Sequence, residues 1–161
     1  MKLLLPAGAA ALAVFLASAP AKAAGDHAGE AHGDTFSTGE PGDAKKPARI
    51  VQVTMTEAGG KMLFIPSRIG IKKDEQVRFM LRNSGELDHE FVLATTGENL
   101  KHADAMKRSP NMEHDDPNAR KLAPKETGEV IWKFSKAGEF EYACLIPGHR
   151  EAGMIGAVVV K

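Results

Sequence analysis

The sequence has little cysteine, no net charge and only one long apolar run. A single Cys among 161 residues excludes an internal disulfide, a four-cysteine zinc site and a cysteine-ligated iron–sulfur cluster. The 21 Lys and Arg residues balance 21 Asp and Glu residues, so no net field would attract nucleic acid or a membrane surface. What remains is a globular protein of ordinary composition whose one cysteine needs an explanation.

The long apolar run lies at the amino terminus. Lys2 precedes an apolar stretch over 3–19 that carries Pro6 and Gly8, which makes it a poor membrane-spanning helix. The small residues of Ala21-Lys22-Ala23 form the pattern that a signal peptidase accepts. We therefore expect a signal peptide over 1–23, export to the periplasm, and no membrane attachment after cleavage.

The segment that follows is poor in apolar side chains. Residues 24–48 are rich in Gly, Asp, His, Glu and Pro, and Phe36 is their one large apolar residue. Such a composition buries too little surface to offset the entropy of ordering. The sequence therefore predicts a flexible, His-containing tail over 24–48, followed by a domain over 49–161.

Within that domain, short segments of alternating apolar and polar residues are separated by turn signals. In Gln76–Asn83, every second residue is apolar from Val77 onward, as in a strand with one buried face. Short strands without alternating long helices are typical of an all-β, Greek-key β-sandwich. An insertion over 97–125 interrupts the pattern, and we expect a flap there with a short helix over 100–107. The eight predicted strands span 50–56, 62–66, 69–72, 76–83, 90–95, 129–134, 139–144 and 155–161.

One loop between two predicted strands carries three soft or borderline metal ligands. Cys144, His149 and Met154 are each separated by four residues, and two glycines give this loop the freedom to fold around a small object. His89 stands before another apolar strand. One thiolate, two imidazoles and a weak axial thioether form the ligand set of a type 1 copper site.

Two other interpretations remain open from the residues alone. Cys144 and His149 could form a nucleophile–base pair for thiol catalysis, although no further residue that would orient the histidine is evident. Cys and two His could also hold zinc, for which Met is a poor ligand. The regular spacing of Met154 favours copper over both.

The Cys-x4-His-x4-Met spacing and the strands around it resemble the cupredoxins, the family of plastocyanin, azurin and rusticyanin. The resemblance covers residues 50–161 and implies a β-sandwich that holds one copper ion through His89, Cys144, His149 and Met154. It also implies one-electron transfer with no substrate chemistry. In the family, electrons cross an apolar surface around the second histidine, here expected from Leu145, Ile146, Pro147, Ala152 and Ile155.

The runs over 87–93, 111–118 and 143–149 are more similar to those of periplasmic copper-tolerance cupredoxins. One residue departs from better-known members, because Glu90 stands where plastocyanins and azurins usually carry Asn. Backbone hydrogen bonding to the cysteine sulfur can survive such a change, but the rigidity of the loop and the resulting colour, blue or green, are open. The role is either copper tolerance, which we favour, or electron carriage between periplasmic proteins.

Further His and Met residues form two candidate sites for additional copper. In the flap, His102 and Met106 have helical i, i+4 spacing, and Met112 and His114 follow. In the tail, His27 and His32 lie among carboxylates that suit Cu(II). We expect a monomer that binds copper ions and transient redox partners. Copper oxidases and nitrite reductases need more copper and usually more domains than this chain can supply.

Overall fold

The computed structural model describes residues 36–109 and 116–161, which form two five-stranded sheets and a helix. The candidate sites predicted at His27, His32, Met112 and His114 lie outside these residues, as does the predicted signal peptide. The elements are β1 (Glu40–Pro41), β2 (Arg49–Ala58), β3 (Lys61–Ile65), β4 (Arg68–Ile71), β5 (Gln76–Asn83), β6 (His89–Ala94), α1 (Thr96–Arg108), β7 (Ala119–Leu122), β8 (Thr127–Lys133), β9 (Gly138–Ala143) and β10 (Ile155–Val160).

The two sheets pack face to face, and this confirms the predicted β-sandwich. One sheet has the order β1-β8-β5-β2-β3 and the other β4-β10-β9-β6-β7. The pairs β2–β5 and β4–β10 are parallel, whereas the remaining neighbours run antiparallel. Strands that are distant in sequence therefore lie side by side, and loops from both sheets can meet at one end of the sandwich.

Aromatic rings fill the space between the sheets. Phe91 stacks on Tyr142 at a centroid distance of 5.3 Å, and both side chains are fully buried. Phe79 packs against Phe91 at 5.3 Å, which joins the first sheet to the second. Burying each such side chain contributes about 1.5–3 kcal/mol. This core fixes the start of β6 and the end of β9, where the candidate ligands His89 and Cys144 lie.

Helix α1 begins at Thr96, one residue before the predicted insertion, and with 13 residues it extends beyond the predicted 100–107 at both ends. Thr95 caps it, because its side chain accepts the N–H of Glu98 while the Glu98 carboxylate accepts the N–H of Thr95. The buried face of the helix presents Asn99, Ala103 and Met106. In the described ranges, no helix is long and apolar enough to cross a membrane.

Two predicted irregular regions contain strands. β1 pairs with β8, and Phe36 contacts Trp132 edge-on at 5.0 Å, so residues 36–48 of the expected tail are attached to the first sheet. The last part of the expected flap forms β7, an edge strand paired with β6. Both strands were missed because they are short and show no clear alternation of apolar and polar residues.

Candidate metal centre

Three of the four predicted ligands meet at one end of the sandwich. His89 is the first residue of β6, and Cys144 directly follows β9, which pairs with β6 in the same sheet. His149 lies in the loop between β9 and β10. The ligand atoms of these three residues all lie within 4.8 Å of one another. Elements far apart in the chain therefore bring one sulfur and two ring nitrogens to a single point.

The contacts within this cluster are short. The Nδ1 atom of His149 lies 3.3 Å from the Nδ1 atom of His89 and 3.3 Å from the sulfur of Cys144. His89 and Cys144 are 0% exposed, whereas His149 is half-buried. Among the described residues, this is the one group of three or more His, Cys, Asp or Glu side chains with metal-binding spacing.

Met154 closes the loop that carries the ligands. Its N–H donates to the carbonyl of His149 at 3.1 Å, and its own carbonyl accepts the N–H of Cys144 at 3.1 Å. The loop needs positive φ values at Gly148 (90°) and Gly153 (100°), which side chains rarely allow. The Met154 side chain is fully buried in the main core cluster, which also contains Cys144. Its role as a fourth, axial ligand stays a prediction.

The sulfur of Cys144 is enclosed by protein. The backbone N–H of Glu90 donates to it at 3.3 Å, so the hydrogen bond expected at this position is present although Glu replaces Asn. Burial raises the pKa of Cys144 to about 12. Without a metal the residue is therefore a thiol, and metal binding must displace its proton.

Burial also affects His149. Partial burial, together with the nearby His89, lowers the pKa of His149 and favours its neutral form. Neutral imidazole is the form that binds a metal.

A carboxylate outside the predicted set contacts the first histidine. Oε1 of Glu57, near the end of β2, lies 2.8 Å from Nε2 of His89. Burial opposes ionisation of Glu57, but N–H groups of Glu86 and Leu87 and the neighbouring His89 outweigh it and lower its pKa. Sequence reasoning missed this residue because it belongs to the opposite sheet and precedes an ordinary Ala-Gly-Gly turn. No local signal could have revealed it.

Two ion pairs hold the ligand loop from outside. Arg150 contacts Glu141 at 2.9 Å, and the side chain of Asn99 in α1 donates to the same carboxylate at 3.1 Å. At the surface, Lys107 of α1 contacts Glu151 at 3.1 Å. The insertion is therefore attached to the loop that carries His149.

The remaining predicted residues occupy different surroundings. Met106 is 5% exposed and packs in a small core cluster with Leu145, whereas His102 lies half-buried on the same helix. Leu145 is 1% exposed, so its predicted place in a surface patch is wrong. Its side chain packs in the cluster that contains Met106 of α1. The sequence predicts a short helix in this region but not the residues that it covers. Pro147 is exposed, and Ile146, Ala152 and Ile155 are half-buried.

The donor set matches copper chemistry. A thiolate stabilises Cu(I), and imidazole nitrogens bind both Cu(I) and Cu(II). A copper ion would be held by Cys144, His89 and His149 inside a shell of buried side chains. The structure thus offers a preorganised site for a borderline-soft metal.

Comparison with known proteins agrees with this chemistry. The chain is 45% identical to the copper-resistant cuproprotein CopI of Rubrivivax gelatinosus over 99% of this chain and 98% of that protein. Its fold is similar to that of auracyanin B, with a TM-score of 0.61, 25% identity, and coverage of 76% of this chain and 96% of that one. A multicopper oxidase from Campylobacter jejuni shares the fold alone, with a TM-score of 0.53, 14% identity, and coverage of 74% of this chain and 31% of that one.

A protein-family model also matches most of the chain. The model described as copper binding proteins, plastocyanin/azurin family, matches residues 51–161. This range contains both histidines, the cysteine and the methionine of the predicted site. The chain therefore belongs to the plastocyanin/azurin family of copper-binding proteins, the cupredoxins.

Proposed function

We propose that the chain is a periplasmic, mononuclear type 1 copper protein that cycles between Cu(I) and Cu(II) and acts in copper tolerance. The observation that carries the proposal is the cluster of Cys144, His89 and His149, with ligand atoms within 4.8 Å of one another. The copper-resistance name of the relative from Rubrivivax gelatinosus supports the biological role. Export rests on the signal-peptide pattern at the amino terminus.

When bound, copper supplies one-electron redox chemistry, and the protein supplies its environment. Cys144 donates a thiolate in a pocket from which burial excludes water. The ligand loop is fixed by backbone hydrogen bonds between Met154 and both Cys144 and His149. Such a loop limits rearrangement when the charge of the ion changes, which keeps the barrier to electron transfer low.

The structure favours this role over thiol catalysis. Cys144 is 0% exposed, so a substrate cannot reach its sulfur without displacing the loop. Reactive cysteines are partly exposed, whereas structural and metal-binding cysteines can be fully enclosed. We therefore propose binding and electron exchange without substrate turnover. The regular spacing of Met154 after Cys144 and His149 favours copper over zinc, for which a thioether is a poor ligand.

A dedicated one-electron carrier is the second candidate. His149 is half-buried, and exposed Pro147 and half-buried Ile146 and Ala152 lie in the same loop region. Weak docking over a small apolar area suits transient redox encounters. A carrier needs one copper ion per chain, whereas a tolerance protein gains capacity from additional sites at the tail and at the flap histidines and methionines.

Copper titration of the chain lacking residues 1–23 tests the proposal. We expect an intense thiolate-to-copper absorption band that saturates at one equivalent and is absent in Cys144→Ser. Ser keeps the size of the side chain but removes the thiolate, so the variant separates the band from nonspecific copper binding. If the wild type with reduced Cys144 shows no band, the proposed centre is wrong.

The same titration separates the two roles. Uptake beyond one equivalent without growth of the band favours the tolerance protein, since the added copper then occupies other sites. Saturation at one equivalent favours the carrier. The sites at His27, His32, His102, Met112 and His114 can be tested by substitution, and Met106 is kept because it packs in the core.

A further inference from the structure

We propose that Glu57 is a positioning residue of the copper centre: its carboxylate fixes the tautomer of His89 and stabilises Cu(II) relative to Cu(I). This inference rests on the proposed copper function and adds a named residue and a direction of redox tuning to it. The carboxylate belongs to β2 of one sheet and the histidine to β6 of the other.

The contact itself defines the tautomer. Oε1 of Glu57 lies 2.8 Å from Nε2 of His89, and an ionised carboxylate only accepts hydrogen bonds. Nε2 must therefore carry the proton and donate it. This leaves a lone pair on Nδ1, the atom that lies 3.3 Å from Nδ1 of His149. The ring is thus presented to the metal cluster in its metal-binding form.

The carboxylate is held in place by its own surroundings. The N–H of Leu87 donates to Oε1 at 3.1 Å, and the N–H of Glu86 donates to Oε2 at 3.0 Å. A Cβ at Gly85 would overlap the Glu57 carboxylate in its present position, so a larger residue there would make this side chain shift. The turn that leads into β6 is therefore shaped around this side chain. A carboxylate merely exposed at a strand end would need none of these features.

The charge of Glu57 has a predictable effect on the bound ion. A carboxylate that accepts from a ligand histidine increases the basicity of the imidazole and the metal affinity of the site. The negative charge also interacts more favourably with Cu(II) than with Cu(I). His89 is fully buried and the Glu57 side chain is 26% exposed, so solvent screens this interaction only in part. Glu57 therefore lowers the reduction potential of the centre.

The test compares Glu57→Gln with Glu129→Gln. Gln at position 57 can still accept from His89 through its amide oxygen but lacks the charge. Glu129 contacts Arg78 at 2.6 Å in the same sheet, so its substitution removes an equal charge without touching a ligand. Reduction potential and Cu(II) and Cu(I) affinities are measured for both variants and the wild type.

We expect Glu57→Gln to weaken Cu(II) binding by about tenfold, with a smaller effect on Cu(I). The ratio of the two affinities then changes by less than tenfold, so the one-electron potential should rise by less than the roughly 59 mV that a full tenfold change gives. Glu129→Gln should leave the potential unchanged. If both variants have the same potential and the same affinity ratio, Glu57 is structural only and the inference is overturned.

The wild type provides an independent test if Glu57→Gln does not fold. In nitrogen-15 spectra of the metal-free protein, we expect the His89 ring to be protonated at Nε2, with a downfield proton that exchanges slowly. Protonation at Nδ1 would overturn the inference. Failure of the copper centre itself is distinguishable, because it removes the thiolate-to-copper band from the wild type.

Discussion

The two sides of the candidate metal centre are assembled in different ways. Cys144, His149 and Met154 belong to one loop of eleven residues, and backbone hydrogen bonds within that loop set their spacing. His89 is instead held by groups from other parts of the chain, including Glu57 of the opposite sheet. The first side, here called the local side, depends on contacts within one loop. The second, the tertiary side, depends on contacts between segments that are distant in the sequence. A disturbance of packing should therefore damage the His89 side before it damages the loop.

Among the substitutions considered, Asn83→Ala should disturb the tertiary side most. The buried amide of Asn83 donates to the carbonyls of Leu87 and Leu122 at 2.7 and 3.1 Å and accepts the N–H of Gly85 at 2.9 Å. Asn83→Ala leaves these groups without partners, and we expect the unfolding free energy to fall by about 3 kcal/mol. Urea denaturation of the metal-free protein measures this loss.

Asn118→Ala is the matched control for that prediction. Asn118 is also buried, but its side chain donates to one carbonyl, that of Leu93, at 2.9 Å. Its loss should cost about 1 kcal/mol. Equal destabilisation by the two substitutions would contradict the special role assigned to the turn before His89.

Gly153→Ala tests the local side. Gly153 has a φ of 100°, and its nearest neighbour for an added Cβ is the carbonyl oxygen of Met62 at 3.7 Å, so the cost is backbone strain rather than overlap. We expect a loss of about 1–2 kcal/mol and weaker copper binding, because the strain is relieved by moving the ligand loop. Thermal unfolding and copper titration provide the two measurements.

The control is Gly60→Ala, in the turn between β2 and β3. Gly60 has a φ of 75° and open space around its Cα, so the substitution strains the backbone away from the ligands. Stability should fall while copper affinity stays at the wild-type value. If Gly153→Ala behaves in the same way, the loop geometry does not set the copper affinity.

The smallest effect is expected at the surface link between α1 and the ligand loop. Lys107 and Glu151 form an ion pair, with side chains 51% and 56% exposed. Exposed pairs are screened by solvent and contribute little, so Lys107→Ala should leave the denaturation midpoint unchanged within error. Arg150→Ala removes the more buried link to Glu141 and should shift it measurably. Equal midpoints for the two variants would contradict this ranking.

The same contrast explains what the sequence could predict. The predicted loop ligands could be proposed because their spacing is a property of consecutive residues, and the alternation in β5 could be read for the same reason. His89 could be proposed as a ligand because it precedes an apolar strand. Glu57 could not be found, because its partner lies 32 positions away and in the other sheet.

Short strands and the insertion were harder to read. β1 has two residues, one of them Pro41, and its pairing depends on the backbone of β8 rather than on an apolar pattern. Leu145 looked like a surface residue beside Cys144, but it is buried with Met106 of the helix. In both cases, contacts between distant segments decide whether a residue pairs or is buried. The pattern of neighbouring residues in one sequence does not reveal such contacts.

The unequal exposure of the three clustered ligands has a consequence for metal exchange. Cys144 and His89 are enclosed, and His149 is the one of the three that solvent partly reaches. An ion bound here would therefore exchange past the His149 ring, while Cys144 and His89 stay enclosed. The rate of loading would then depend mainly on the surroundings of His149, and the tightness of retention mainly on those of Cys144 and His89.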